Sequence, residues 1–186
     1  MSAFVVLLRG VNLGPHRRVP AADLRGVAQD AGLADVRTLL TSGNLVVTPG
    51  TSGATVADDV ARLVHDGLTS RLDLDVPAVA LSATRLAAVV RDNPFPAAAR
   101  EDPSHLQAHV PFGPVDEAGV ARLDLRHPGR ERIAVAEGVV YVHYVDGIGT
   151  SRLTADVLDK AAGTMLTGRN WNTVTRLLEM TRDLEG

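Results

Sequence analysis

From Ala3 to Leu81 the apolar side chains switch between strand and helix spacing in an order that few folds accommodate. Ala3 to Leu8 is rich in β-branched residues and reads as a buried strand, ended by Arg9 and followed by an irregular Gly/Asn/Pro loop through Arg18. A helix then starts near Pro20, a residue favoured in a first helical turn, carries Leu24, Val27 and Ala28, and stops at Gly32. Val36 to Leu40 and Leu45 to Thr48 are two strands separated by Thr41-Ser42-Gly43-Asn44, which is hairpin-turn chemistry with Gly43 and Asn44 expected in left-handed conformations. Thr55 to Leu72 places Val56, Val60, Leu63, Val64 and Leu68 on one helical stripe, and Val76 to Leu81 closes the unit as a strand. The order β-α-β-β-α-β is the ferredoxin-like split arrangement, with both helices on one face of an antiparallel sheet.

A helix over Ser82 to Arg91 leads into Asn93-Pro94-Phe95-Pro96, and this proline-rich stretch predicts a seam between subdomains 1–92 and 93–186. Beyond it the element order partly echoes the first half. His105 to Val110 alternates as a strand, Asp116 to Leu123 is helix-like, Arg132 to Ala136 and Val139 to Val145 form a hairpin across Glu137-Gly138, and two helices finish the chain. The expected class is therefore α+β: a ferredoxin-like N-terminal unit and a second, partly similar α+β subdomain whose last helix packs back on the first.

Composition narrows the compartment and the partners. The 186 residues are 45% hydrophobic, enough for a real core, and contain no cysteine, which removes disulfides, thiolate metal sites and cysteine nucleophiles. The apolar run at the N-terminus is shorter than a signal-peptide core or a membrane span, so a cytoplasmic protein without membrane insertion is expected. A net charge of −3 gives no overall basic field for nucleic acid or anionic lipid. Three Phe, two Tyr and one Trp are too few for a base-stacking platform. Arg outnumbers Lys, with Lys160 the single lysine, and this reads as genomic base composition.

Several polar segments stand out against this background. Arg9-Gly10-Val11-Asn12-Leu13-Gly14 follows a strand, and its glycines would let backbone N–H groups approach a ligand. It lacks both the dinucleotide fingerprint and a Walker lysine, so it reads equally as a positive-φ turn. Ser42 lacks the nucleophile-elbow pattern and an identifiable base. Asp146-Gly147-Ile148-Gly149-Thr150-Ser151-Arg152 reads as a strand-to-helix loop with Thr154 as N-cap. Thr167-Gly168-Arg169-Asn170-Trp171-Asn172-Thr173 opens the last helix, with Trp171 as a core anchor, Asn170 as a cap and Arg169 beside the positive helix end. Arg169 there has two readings: a partly exposed anion clamp within reach of Arg9 or Asn12, or a buried partner of an internal carboxylate. His105 and His109, about 13 Å apart along a strand, cannot share a metal ion.

Leu8-Arg9-Gly10-Val11-Asn12-Leu13-Gly14, Val36-Arg37-Thr38 running into Ser42-Gly43-Asn44, and Arg169-Asn170-Trp171-Asn172-Thr173 together resemble the bacterial domain-of-unknown-function family sixteen ninety-seven from end to end of the chain. Pro15 stands where that family's first motif usually has its second glycine, and it removes a backbone donor from the loop. The resemblance implies a cytoplasmic α+β fold on ferredoxin-like elements and no particular activity.

The leading expectation is a domain that binds a small anion, phosphorylated or nucleotide-like, without a cofactor. Its donors would be Arg9, Asn12, Ser42, Asn44, Arg169, Asn170 and Asn172, most of which can bind an oxyanion. Whether the chain is an enzyme is left open, since no nucleophile-base pair stands among these residues. A protein-interaction or regulatory module using an open sheet edge or the proline-rich seam is the alternative. Binding of RNA or DNA by the sheet ranks last.

Overall fold

The structure, a computed structural model, describes residues 2–12, 18–126 and 129–186, apart from the side chain of Leu125. The chain divides into two compact units, Met1–Ala87 with Arg176–Gly186, and Ala88–Thr175. The first unit thus ends a few residues before the expected seam and takes in the end of the chain, where the backbone N–H of Ala3 donates to Glu185 Oε1 at 3.0 Å.

In the first unit the elements are β1 (Phe4–Leu8), α1 (Ala21–Asp30), β2 (Ala34–Leu39), β3 (Asn44–Thr48), α2 (Ala57–Leu72) and β4 (Ala78–Ser82). Their sheet runs β2-β3-β1-β4 and every pairing is antiparallel, which is the ferredoxin-like order. Val5 sits opposite both Val46 and Leu81, so β1 is central. Phe4, Val6, Leu8, Leu45 and Val47 form one buried cluster with Leu24 and Val27 of α1 and Val60, Val64 and Leu68 of α2. Burying each such side chain contributes roughly 1.5–3 kcal/mol. The expected stripe on α2 holds from Val60 onward, whereas Val56 is exposed because it is the N-cap, outside the helix it was expected to join. The two helices meet closely at Gly67: a Cβ there would lie 2.6 Å from Val27 Cγ1.

After α3 (Ala83–Arg91) and the short α4 (Pro96–Glu101), the second unit repeats the order with β5 (Leu106–Pro111), α5 (Glu117–Arg126), β6 (Arg132–Ala136), β7 (Val139–His143), α6 (Ala155–Ala162) and β8 (Leu166–Asn170). Its sheet runs β6-β7-β5-β8, the same antiparallel topology as the first. Val120, Val140, Val142, Leu158 and Leu166 lie in its buried cluster. The long α7 (Trp171–Glu185) ends the chain.

Two local expectations change here. The segment from Thr167 to Asn170, read as the opening of the last helix, makes up all of β8 but its first residue, and the strand pairs Thr167 with Val110 and Arg169 with Ala108. Pairing with β5 satisfies backbone groups that a helix start would leave open, and Gly168 permits it because a Cβ there would strike the His109 ring at 2.7 Å. Pro96, within the expected linker, starts α4 instead, a position where its fixed φ suits a helix. Among the described residues no helix is long and apolar enough to cross a membrane.

Candidate functional site

The loop after β1 and the β2–β3 hairpin meet through Asn12. Its Nδ2 donates to Val19 O at 3.2 Å and to Thr41 O, while the Val19 N–H donates to Asn12 Oδ1 at 3.0 Å. Asn12 holds φ 57°, a left-handed conformation that asparagine tolerates better than most residues. Leu13, Gly14 and Pro15, the rest of the first motif, lie outside the described residues.

The hairpin turn is built differently from its sequence expectation. Gly43 is left-handed at φ 70°, but the second left-handed residue is Leu40, at φ 57°, and Asn44 is extended in β3. Gly43 is required twice over, since a Cβ there would lie 2.6 Å from Val11 Cγ2 and 2.7 Å from Leu8 Cβ. That contact and the Leu8 N–H bond to Gly43 O at 2.9 Å press the turn against the end of β1. Asn44 is buried, and its Nδ2 donates to Leu39 O at 3.0 Å and Ser42 Oγ at 2.9 Å. Its side chain braces the turn from within the fold.

Between this hairpin, the end of the loop and the start of α1 lies a cleft of about 550 Å³. Arg18, Val19 and Pro20 form one part of its lining, Ala21 and Leu24 of α1 another, and Thr38, Leu40 and Thr41 the hairpin side. Arg18 is the single charged residue among the described lining residues, and none of them carries a carboxylate. Arg25 supports the wall from behind, donating from Nη1 to Thr38 Oγ1 at 3.0 Å. Helix α1 begins after Pro20, whose side chain offers no acceptor to the first-turn N–H groups. Arg9 and Ser42 border the same loop and hairpin but do not line the cleft. Arg18, Thr38 and Leu40 were not among the expected site residues, although Thr38 belongs to the Val36-Arg37-Thr38 motif and Arg18 is a cation two residues before a proline-initiated helix.

Arg169, Asn170 and Asn172 belong to the second unit. Arg169 is buried, not partly exposed as an anion clamp requires, and its Nη1 donates to Thr167 Oγ1 at 2.8 Å and Gly168 O at 2.9 Å. Burial lowers its pKa to about 10 by penalising the charged form. Asn170 caps α7, accepting from the Asn172 N–H at 3.0 Å, and its Nδ2 donates to Ser104 O. Asn172 is exposed, and Trp171 packs 6.4 Å from Tyr141, ring centroid to ring centroid.

His105 pairs with neither His109 nor a metal-type cluster. It immediately precedes β5 and meets His143 of β7 across Asp102, which follows α4. His143 Nε2 lies 2.9 Å from Asp102 Oδ2, and His105 Nδ1 lies 3.0 Å from Asp102 Oδ1. The hydrogen bond from His143 leads the causes that hold the Asp102 carboxyl below its ordinary pKa, with His105 adding to it against the cost of burial. Among the described residues no group of three or more His, Asp or Glu is arranged to hold a metal ion.

The family model described as protein of unknown function (DUF1697) matches residues 1–141. No curated protein matches the chain. Among solved structures, the conserved bacterial protein SP0830 from Streptococcus pneumoniae shares the fold, with a TM-score of 0.74 over 97% of this chain and 98% of that one at 18% identity. The chain belongs to the DUF1697 family, and the matched span includes the loop, α1 and hairpin that frame the cleft.

Proposed function

We propose that this member of the DUF1697 family binds a small anionic ligand, phosphorylated or nucleotide-like, in the cleft of the first unit, with Arg18 as its charge partner. The observation that carries this reading is the charge of the cleft: one arginine and no carboxylate among its described lining residues, in a chain whose net charge is −3. A volume of about 550 Å³ lies within the range of small-molecule sites and exceeds what a bare phosphate fills. The guanidinium supplies a planar donor fork suited to a phosphate or carboxylate, and the start of α1 adds N–H groups and the positive end of a helix dipole. Asn12 serves as scaffolding that ties loop to hairpin, since both ends of its amide are already engaged. No reaction is proposed, because no nucleophile lies beside a base among the described lining residues of the cleft.

A thermal-shift screen of phosphates, sugar phosphates and nucleotides tests the reading. A ligand present at a hundred times its dissociation constant adds about 2.7 kcal/mol and raises Tm by several degrees. No shift with any anion in the set sinks the proposal.

A further inference from the structure

Leu40 is out of place on two physical counts. Its φ of 57° is a conformation in which the Cβ of an L-residue crowds the following carbonyl, so glycine or asparagine ordinarily occupies such a turn position. Its side chain is also 66% exposed, more than any other large hydrophobic residue described as exposed. Leucine therefore gains little from burial to offset the strained backbone. Both features fall on the lining of the cleft that holds Arg18, where exposed Pro20 and half-buried Ala21 supply further apolar surface.

We infer that Leu40 is a specificity-determining residue that contacts the ligand, and that the cleft takes anions carrying an apolar body, such as aryl or alkyl phosphates, in preference to bare inorganic anions. This rests on the anion reading of the cleft. The anionic head pairs with Arg18, and the apolar body covers Leu40 and the neighbouring Pro20. Removing some fifty square ångströms of apolar surface from water on binding is worth about tenfold in affinity. A leucine at the tip of a turn with no contact to make would bring no such preference.

Isothermal titration calorimetry with inorganic phosphate and with phenyl phosphate separates the cases, using the full chain and its Leu40→Gly and Leu40→Asn variants. The unaltered chain binds phenyl phosphate about tenfold more tightly than inorganic phosphate. In both variants that ratio collapses to within about twofold, while Tm does not fall in Leu40→Gly, because glycine accepts the left-handed backbone. An equal ratio in the unaltered chain, or a ratio kept by the variants, overturns the assignment of Leu40 and leaves the anion site standing. Binding of neither phosphate overturns the anion reading and the Leu40 inference with it.

Discussion

Asn12 grips the backbone of Val19 from both ends of its amide, accepting from the Val19 N–H at 3.0 Å and donating to the Val19 carbonyl at 3.2 Å. The pair closes the loop between β1 and α1 in the way a single rung closes a β-ladder, and the further bond to Thr41 O fastens the loop to the hairpin. Asn12→Ala removes these bonds and places alanine at φ 57°. The expected loss is about 3 kcal/mol, from three hydrogen bonds plus the backbone penalty. Asn12→Asp keeps the acceptor for Val19 N–H but not the donors, and urea denaturation should place it between the two.

Arg169 calls for a different kind of test, because it is buried among backbone and hydroxyl acceptors in β8. Arg169→Ala leaves Thr167 Oγ1 and Gly168 O without that donor and opens space inside the second unit. A loss on the order of 3 kcal/mol is expected by chemical denaturation. A loss under about 0.5 kcal/mol, ordinary for a surface substitution, would show that the side chain is not held as described.

Asp102 gives the second unit a pH dependence whose sign follows from its shift. Its carboxyl is held below the ordinary value when folded, so the stabilisation it supplies is present above the unfolded-state pKa, near 3.8, and is lost as pH falls through the lower folded-state value. Replacing it with asparagine should cost about 1–2 kcal/mol at neutral pH, the scale of a charge-assisted hydrogen bond reduced by solvent at a partly exposed site. The difference between Asp102→Asn and the unaltered chain should shrink steadily as the solution is acidified below pH 4. A difference independent of pH would assign the loss to packing alone.

The parts of the fold that sequence reveals are those whose signal is local. The stripe of Val60, Val64 and Leu68, the run from Phe4 to Leu8 and the stop at Gly32 each follow from a repeat or a breaker within a few residues. Strand β8 does not, since Leu166-Thr167-Gly168-Arg169-Asn170 carries little alternation and forms only because β5 offers a distant partner. The hairpin was legible as a turn but not in its conformation: four turn-prone residues between two strands do not say which takes the left-handed backbone, and Leu40 takes it where Asn44 was expected. In the Asp102, His105 and His143 cluster only the step from Asp102 to His105 is local, and His143 joins through the register of β5 on β7, which pairs Leu106 with His143. Arg18 likewise gains its meaning only once α1 and the hairpin enclose the cleft.

Calorimetric titration of adenosine monophosphate into the unaltered chain and into Arg18→Ala, at low ionic strength, tests the anion cleft most directly. Arg18 is exposed, so the substitution should leave Tm within the range of surface changes. Measurable binding to the unaltered chain is expected, weakened at least about tenfold by Arg18→Ala, with an affinity that falls as salt is added. Equal affinity in the two proteins, or no binding of this nucleotide or of any phosphate by the unaltered chain, would contradict the anion reading of the cleft.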